Sequence, residues 1–221
     1  MFDQSKIVLA SNSPRRKELI SLTGWIFSTS PADIDETPRS GEAPENYVTR
    51  LAKEKAAACR NEGLELILAA DTIVVDANQI MGKPLNEEES RRMLVQLRGH
   101  THQVMTAVVL FDSGTGRLEE ELCLTHVPMR TYSDAEIDTY IASGDPFDKA
   151  GAYAIQHSGF HPVASFHGCF ASVMGLPLCH VKRMAKSFEK PVADSMVTEC
   201  QRINQYTCSI FQQVAHGAEI G

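Results

Sequence analysis

Short apolar runs alternate along this chain with stretches whose apolar positions recur every three or four residues, which predicts strands and helices in turn. Ile7 to Ala10 is such a run. It leads through a small-polar turn into a helix opened by Ser13 as N-cap and Pro14 as first residue. Gly24 stops that helix, Trp25 to Ser28 reads as a short strand, and Pro31 to Pro38 is an acidic loop bounded by prolines. A second helix runs from Pro44 to about Cys59, with Gly63 behind it. Val48, Leu51, Ala52 and Cys59 form its apolar face, and Lys55 falls on the same stripe. The Lys55 ammonium therefore either reaches outward past that face or points into a site.

Leu64 to Asp76 is nearly continuous in apolar residues, as in a strand buried on both faces, and Asp71 interrupts it. A turn is expected at Asn78-Gln79, ahead of Gly82-Lys83-Pro84. Asn86 caps a helix whose first turn is Glu87-Glu88-Glu89 and which ends near Gly99. His102 to Asp112 and Leu118 to Arg130 read as a long β-hairpin, with His100 and His102 on the surface at its start. Ser133 to Glu136 is a capping box opening a further helix, closed by Gly144. After the loop Asp145 to Asp148, a further strand and a helix beyond Pro177 complete the pattern. The tail from Pro191 carries Met196, Cys200, Ile203, Ile210 and Val214, which predicts an added helix. The whole reads as an α/β domain: a mixed twisted sheet with flanking helices and one long hairpin.

Composition narrows the function classes. In 221 residues, 43% hydrophobic and 22% charged content is ordinary for a globular chain with room for a sizeable core. A net charge of −7 argues against broad contact with nucleic-acid polymers or anionic membranes. Neither a signal-peptide pattern nor a membrane-length apolar run is expected, so the default is a cytoplasmic enzyme or binding protein. The six cysteines include no C-x-x-C pair and are expected as reduced, partly buried thiols, with Cys200 and Cys208 near enough in sequence to pair or share a metal.

Against this background a few residues break local rules. Arg15 and Arg16 occupy the first turn of a helix, where the dipole favours acidic side chains. Free helical N–H groups and two guanidinium forks at one place make a phosphate or carboxylate site. Asp71 sits inside Ile67 to Val75, where an ionised carboxylate is costly unless it is paired, metal-bound or used as a base, and Thr72 adds a hydroxyl beside it. Asp33, Asp35 and Glu36 offer oxygen ligands of the kind that suit Mg²⁺ or Mn²⁺ when phosphates complete the shell. Lys55, Lys83 and Lys149 are candidate phosphate partners. No Walker-type loop or Ser-His-Asp signature is present.

The ordered blocks Leu9-Ala10-Ser11-Asn12-Ser13-Pro14-Arg15-Arg16, Leu51-Ala52-Lys53-Glu54-Lys55-Ala56, Ala70-Asp71-Thr72-Ile73-Val74, Gly82-Lys83-Pro84, Gly99-His100-Thr101-His102, Asp148 to Gln156 and Gly175-Leu176-Pro177 carry a resemblance. Together they are similar to the Maf (septum-formation-inhibitor-like) nucleoside triphosphate pyrophosphatases, across about residues 5–185. The resemblance implies a Maf/inosine-triphosphatase-like fold over residues 1–188, with 189–221 as a C-terminal helical extension. It also implies metal-dependent hydrolysis of a nucleoside triphosphate to the monophosphate and pyrophosphate, with Mg²⁺ or Mn²⁺, and a homodimer.

By motif position the resemblance makes Asp71 the proton acceptor, with Lys83 and Arg16 also catalytic. It gives Ser11, Arg15, Lys55, Thr72 and Gln156 to the substrate and Glu36 with Asp71 to the metal, and Lys149, a candidate phosphate partner by residue type, joins the substrate residues. Arg15, Thr72 and Gln156 fall on base-specificity positions, and the combination looks like the branch that prefers dTTP and UTP; modified nucleotides remain open as substrates. One departure stands out: the family commonly continues Ile-Gln-Gly, whereas Gln156 here precedes His157-Ser158-Gly159. The alternative is a nucleotide-binding regulator of cell division with little or no catalysis. Asp71 with Glu36 and Lys83 favours the enzyme, because binding alone needs no water-activating carboxylate. A purine-nucleotide-cleaning inosine triphosphatase is disfavoured by the Ser-Pro-Arg-Arg start.

Overall fold

The computed structural model describes residues 6–59, 65–218 and 220–221. Its strands are β1 (Lys6–Leu9), β2 (Phe27–Thr29), β3 (Glu65–Asp76), β4 (Gln79–Met81), β5 (Thr101–Asp112) and β6 (Leu118–Pro128). Its helices are α1 (Pro14–Ser21), α2 (Pro44–Ala58), α3 (Glu87–Leu97), α4 (Asp134–Ala142), α5 (Phe170–Val173), α6 (Leu178–Ser187), α7 (Met196–Ile203) and α8 (Phe211–Ala215). The expected stop at Gly63 and strand start at Leu64 lie outside the described residues.

The strands form one six-stranded sheet in the order β2-β1-β3-β5-β6, with β4 paired to the far end of β3. β1 runs parallel to β2 and β3, while β5 is antiparallel to both β3 and β6, so the sheet is mixed as expected. Strand periodicity then distributes the apolar residues. Ile7, Leu9, Leu66, Leu68 and Ala70 pack on one face with α1 and α6. Val8, Ala10, Ile67, Ala69 and Ile73 pack on the other with α2. A third cluster joins Val74 and Met81 to α3 and α4.

This arrangement places the site. From β1 the chain crosses to β2 on one side, while β3 lies on the other, so the end of β1 is a topological switch point. β1 pairs with β3 only from Lys6–Glu65 to Leu9–Leu68, which leaves Asp71 and Thr72 beyond its carboxyl end. Consecutive strand residues point to opposite faces. Asp71 accordingly shares the face of Ile67 and Ala69, under α2, and Thr72 shares the face of Ala70, towards α1.

Four expectations need correction. The turn after β3 is at Ala77-Asn78, both left-handed at φ 46° and 64°, and Gln79 already opens β4. A two-residue turn of that hand matches strand twist better than the expected position. No further strand follows β6 among the described residues. The segment holds an isolated Met129–Val163 bridge and the short α5, because Pro162 lacks an N–H and His161 is left-handed at φ 44°. The tail forms two helices rather than one, broken after Ile203 where Gln205 turns left-handed at φ 47°. Finally, His102 is buried at 2% exposure instead of lying on the surface; it is an inward-facing residue of β5.

Candidate functional site

A cleft of about 850 Å³ opens at the end of β1. Ser11, Arg15, Arg16, Glu36, Lys55, Asp71, Thr72, Lys83, Lys149 and Gln156 all line it, so the residues that the resemblance assigned to catalysis, substrate and metal are brought to one cavity. The two rule-breaking features, the basic helix start and the carboxylate in a strand, meet there.

Asp71 is at the floor. Lys55 answers the question its helical stripe left open: Nζ donates to Asp71 Oδ1 at 2.5 Å and lies 2.7 Å from Glu36 Oε1. The reason is periodic, since Tyr47, Leu51 and Lys55 are successive i, i+4 positions of α2 and all three face the cleft. Tyr47 OH donates to the Glu36 carbonyl at 2.7 Å and Arg50 Nη2 to the Thr37 carbonyl at 3.2 Å, which pins the acidic loop above the site. Burial pushes the Asp71 carboxyl above its ordinary value, and the attraction of Lys55 and Arg16 offsets only part of that rise.

Arg16 enters from α1, whose N-cap is Ser13 as expected, with Ser13 Oγ accepting from the Arg16 backbone N–H at 3.4 Å. Three elements fix the guanidinium. Nε donates to the Gly175 carbonyl at 2.9 Å, Nη2 to Thr72 Oγ1 at 3.2 Å and Nη1 to Ser11 Oγ at 3.5 Å. Thr72 lies 3.0 Å from Thr106 Oγ1, its cross-strand partner, and Thr106 donates to the Ser172 carbonyl at 2.9 Å. The Thr72 hydroxyl is thus spent on holding Arg16. Gly175 is required by this packing: at φ +107° a Cβ would stand 3.1 Å from Arg16 Nε and 3.3 Å from Thr72 Oγ1. Burial lowers the Arg16 pKa and Asp71 raises it part of the way back.

The opposite wall is made of two 3₁₀ turns, Asp145–Asp148 and Ala150–Ala152. Lys149 Nζ donates there to the Asp145 carbonyl at 2.6 Å and lies 3.0 Å from Asp145 Oδ1 and 2.6 Å from Asp148 Oδ1. It lines the cleft with its charge already matched. The Gly151 N–H donates to the Gly82 carbonyl at 3.0 Å, which ties this wall to the loop carrying Lys83. Lys83 and Gln156 are both exposed residues of the lining. Behind Tyr153, buried His102 meets the phenol at 2.8 Å, and burial pushes its imidazole down to about 4.

Sequence reasoning missed Tyr47, Thr106 and Ser172, and it quoted Gly175, His102 and Tyr153 inside blocks of resemblance without a role for them. Tyr47 carried a usable signal, its i, i+4 line with Lys55. Thr106 and Ser172 act through strand register and a loop carbonyl that no local pattern announces.

The donor set bears on a metal. Among the described residues no group of three or more His, Cys, Asp or Glu side chains is arranged to hold one. Glu36 and Asp71 do share a cation, the Lys55 ammonium, and their hard oxygen atoms suit Mg²⁺ or Mn²⁺ where phosphate oxygens complete the shell. The residues present therefore fit such an ion as part of a ligand-completed site. All six cysteines are free, with Cys59, Cys123 and Cys169 buried and the other three partly so. No described helix is long and apolar enough to cross a membrane.

Fold and site together define an α/β protein with a cleft lined by Arg15, Arg16, Lys55 and Lys83 at the switch point of its sheet and a desolvated carboxylate beneath it. A family model described as Maf-like protein matches residues 6–188. The chain belongs to the Maf family. A protein of Myxococcus xanthus named dTTP/UTP pyrophosphatase is 50% identical over 179 residues, covering 80% of this chain and 89% of the relative. One of the same name from Geobacter sulfurreducens is 45% identical, covering 81% and 94%. Another from Shewanella oneidensis is also 45% identical, covering 80% and 95%.

Proposed function

We propose that this chain is a nucleoside triphosphate pyrophosphatase that hydrolyses dTTP and UTP to the monophosphate and pyrophosphate. The observation that carries the reading is Asp71. It is a buried carboxylate with a raised pKa, touching Lys55 and facing Arg16 in a cleft, in a chain similar to relatives bearing that enzyme name. A raised pKa makes a carboxylate a stronger base towards a water proton.

In this mechanism Arg16, Lys55 and Lys83 receive the phosphates, each neutralising charge where it gathers. Asp71 accepts a proton from a water whose oxygen forms the new bond to phosphorus. The P–O bond of the α–β anhydride breaks, and pyrophosphate leaves with its charge held by the same cations. Ser11 and Thr72 keep the Arg16 fork aimed. Glu36 and Asp71 are the residues that would hold Mg²⁺ or Mn²⁺, which when bound supplies further neutralisation of phosphate charge. Arg15 and Gln156 are assigned to the base, and Lys149 to the frame of the wall that faces it.

Three further parts belong to the same reading: a homodimer, a cytoplasmic location, and residues 189–221 as an extension of a 1–188 catalytic domain. The family match ends at residue 188, which supports that division. The test is pyrophosphate release from a nucleotide panel with Mg²⁺, with Mn²⁺ and with EDTA. Release from dTTP and UTP that EDTA abolishes is the expected result. Release from no nucleotide overturns the activity, and undiminished release in EDTA overturns the metal.

A further inference from the structure

The cleft has a charged floor and a wall whose one lysine is already matched. On the floor, Arg15, Arg16 and Lys55 face Asp71 and Glu36, leaving positive charge for a polyphosphate. On the wall, Asp145 and Asp148 enclose Lys149, so the wall offers an anion nothing and suits an uncharged ring. Beyond Lys149 the lining continues through Tyr153, Gln156, His157 and Ser158.

His157 is fixed in this lining. Its Nδ1 accepts the Phe160 backbone N–H at 2.9 Å, and its ring packs edge-on against Tyr140 at 4.7 Å. Its Cε1 is close to Gly159, where a Cβ would stand 3.2 Å away. Its backbone N–H and carbonyl are both used, by Ala154 and His161. With Nδ1 accepting, the ring proton is on Nε2. The Nδ1–Cε1 edge is turned to its own loop and the residue lines the cavity, so the Nε2 side is the one left to meet a ligand. A half-buried imidazole held on three sides is a pre-organised hydrogen-bond donor.

We infer that His157 is a specificity-determining residue, donating from Nε2 to a ring carbonyl oxygen of the nucleobase and favouring 4-oxo pyrimidines over 4-amino ones. The inference rests on the pyrophosphatase reading above and adds a reader of the base to it. A 4-amino group presents a donor where the 4-oxo group presents an acceptor, so His157 Nε2–H pairs with one and opposes the other.

Two variants of the full chain test this. His157→Asn keeps an acceptor near the Phe160 N–H but is too short to carry the donor to the Nε2 position; His157→Gln restores a donor of comparable reach. Steady-state pyrophosphate release from UTP and CTP is measured for wild type and both variants. The expected result is a wild-type preference for UTP that falls about 3–10-fold in His157→Asn, the range of one neutral hydrogen bond, and recovers in part in His157→Gln. The fall comes from UTP, with CTP changed less than about twofold. An active wild type whose UTP-to-CTP ratio is near one, or unchanged in His157→Asn, overturns the role of His157 and leaves the enzyme standing. A wild type that cleaves neither nucleotide overturns the enzyme reading and the inference with it.

Discussion

The floor and the wall of the cleft each hold a lysine that is almost out of water, yet in opposite situations. Lys55 is 11% exposed between Asp71 and Glu36, with Arg16 adding a second cation to the same carboxylate. Lys149 is 10% exposed and faces two carboxylates, Asp145 and Asp148. The floor therefore has positive charge to give an incoming anion, and the Lys149 ammonium has none to spare. The floor is also assembled from distant elements: α1 brings Arg16, α2 brings Lys55, β3 brings Asp71 and Thr72, and the turn at Gly175 brings a carbonyl. The wall is a local affair of neighbouring residues, Lys149 reaching back to Asp145 and Asp148. Function is expected to concentrate where distant elements converge, and stability where local groups satisfy one another.

Substitutions separate the two. Asp71→Asn removes the proposed proton acceptor with almost no change in shape, and turnover measured by pyrophosphate release is expected to fall about 10²–10⁴-fold. Arg16→Lys keeps the charge but loses the planar fork that three acceptors hold, and kcat/KM for the nucleotide is expected to fall about 10²–10³-fold. An Arg16→Lys enzyme whose kcat/KM stays close to that of the wild type would break the claim that the fork matters.

Gly175→Ala introduces a Cβ 3.1 Å from Arg16 Nε in a left-handed backbone position. Strain of about 1–3 kcal/mol and a displaced guanidinium follow, so KM should rise about tenfold while the fold survives to circular dichroism. Lys149→Met acts on the wall. Denaturant unfolding should show a loss of about 1–2 kcal/mol, reduced because Asp148 is well exposed, with kcat unchanged within about threefold. If Lys149→Met instead lost turnover as Arg16→Lys does, the wall would be part of the phosphate site and the comparison would fail.

The same contrast explains how much can be read from the sequence. The floor is legible because each of its parts violates a local preference: arginines at a helix start, a carboxylate inside an apolar strand, a lysine on an apolar helical stripe. Those violations are intelligible once the parts meet. The long hairpin and the capped helices follow from period and caps, which are local signals. On the wall, Lys149 and the block from Asp148 to Gln156 stand out in the sequence, but how they pair is not legible, for the opposite reason. Asp145 to Ala152 breaks no rule, and its 3₁₀ turns depend on Lys149 finding two carboxylates. The segment from His157 to Cys169, expected to include a strand, instead packs Phe160 on Tyr140 and Tyr132 and Phe166 on Phe170, contacts set by tertiary neighbours. The burial of His102 leaves no local trace, because its partner Tyr153 is remote in sequence.

Burial holds Asp71 in a costly state, and the proposed role as proton acceptor is what that cost would serve. A carboxyl whose pKa is higher in the folded chain than in the unfolded one binds its proton more readily when folded. Its contribution to stability is full below the unfolded value and is lost as pH rises through the folded one. At pH 7 the wild type therefore carries a burden that Asn does not. The deciding measurement is the thermal unfolding of wild type and Asp71→Asn from pH 7 down to pH 4, on the preparations used for turnover. The inactive Asn variant is expected to melt higher at pH 7, by about 2–4 °C per kcal/mol recovered, with the gap narrowing on acidification. An Asn variant that melts below wild type at pH 7 would make the Lys55–Asp71 pair a stabilising ion pair and contradict the idea that Asp71 is held at a cost.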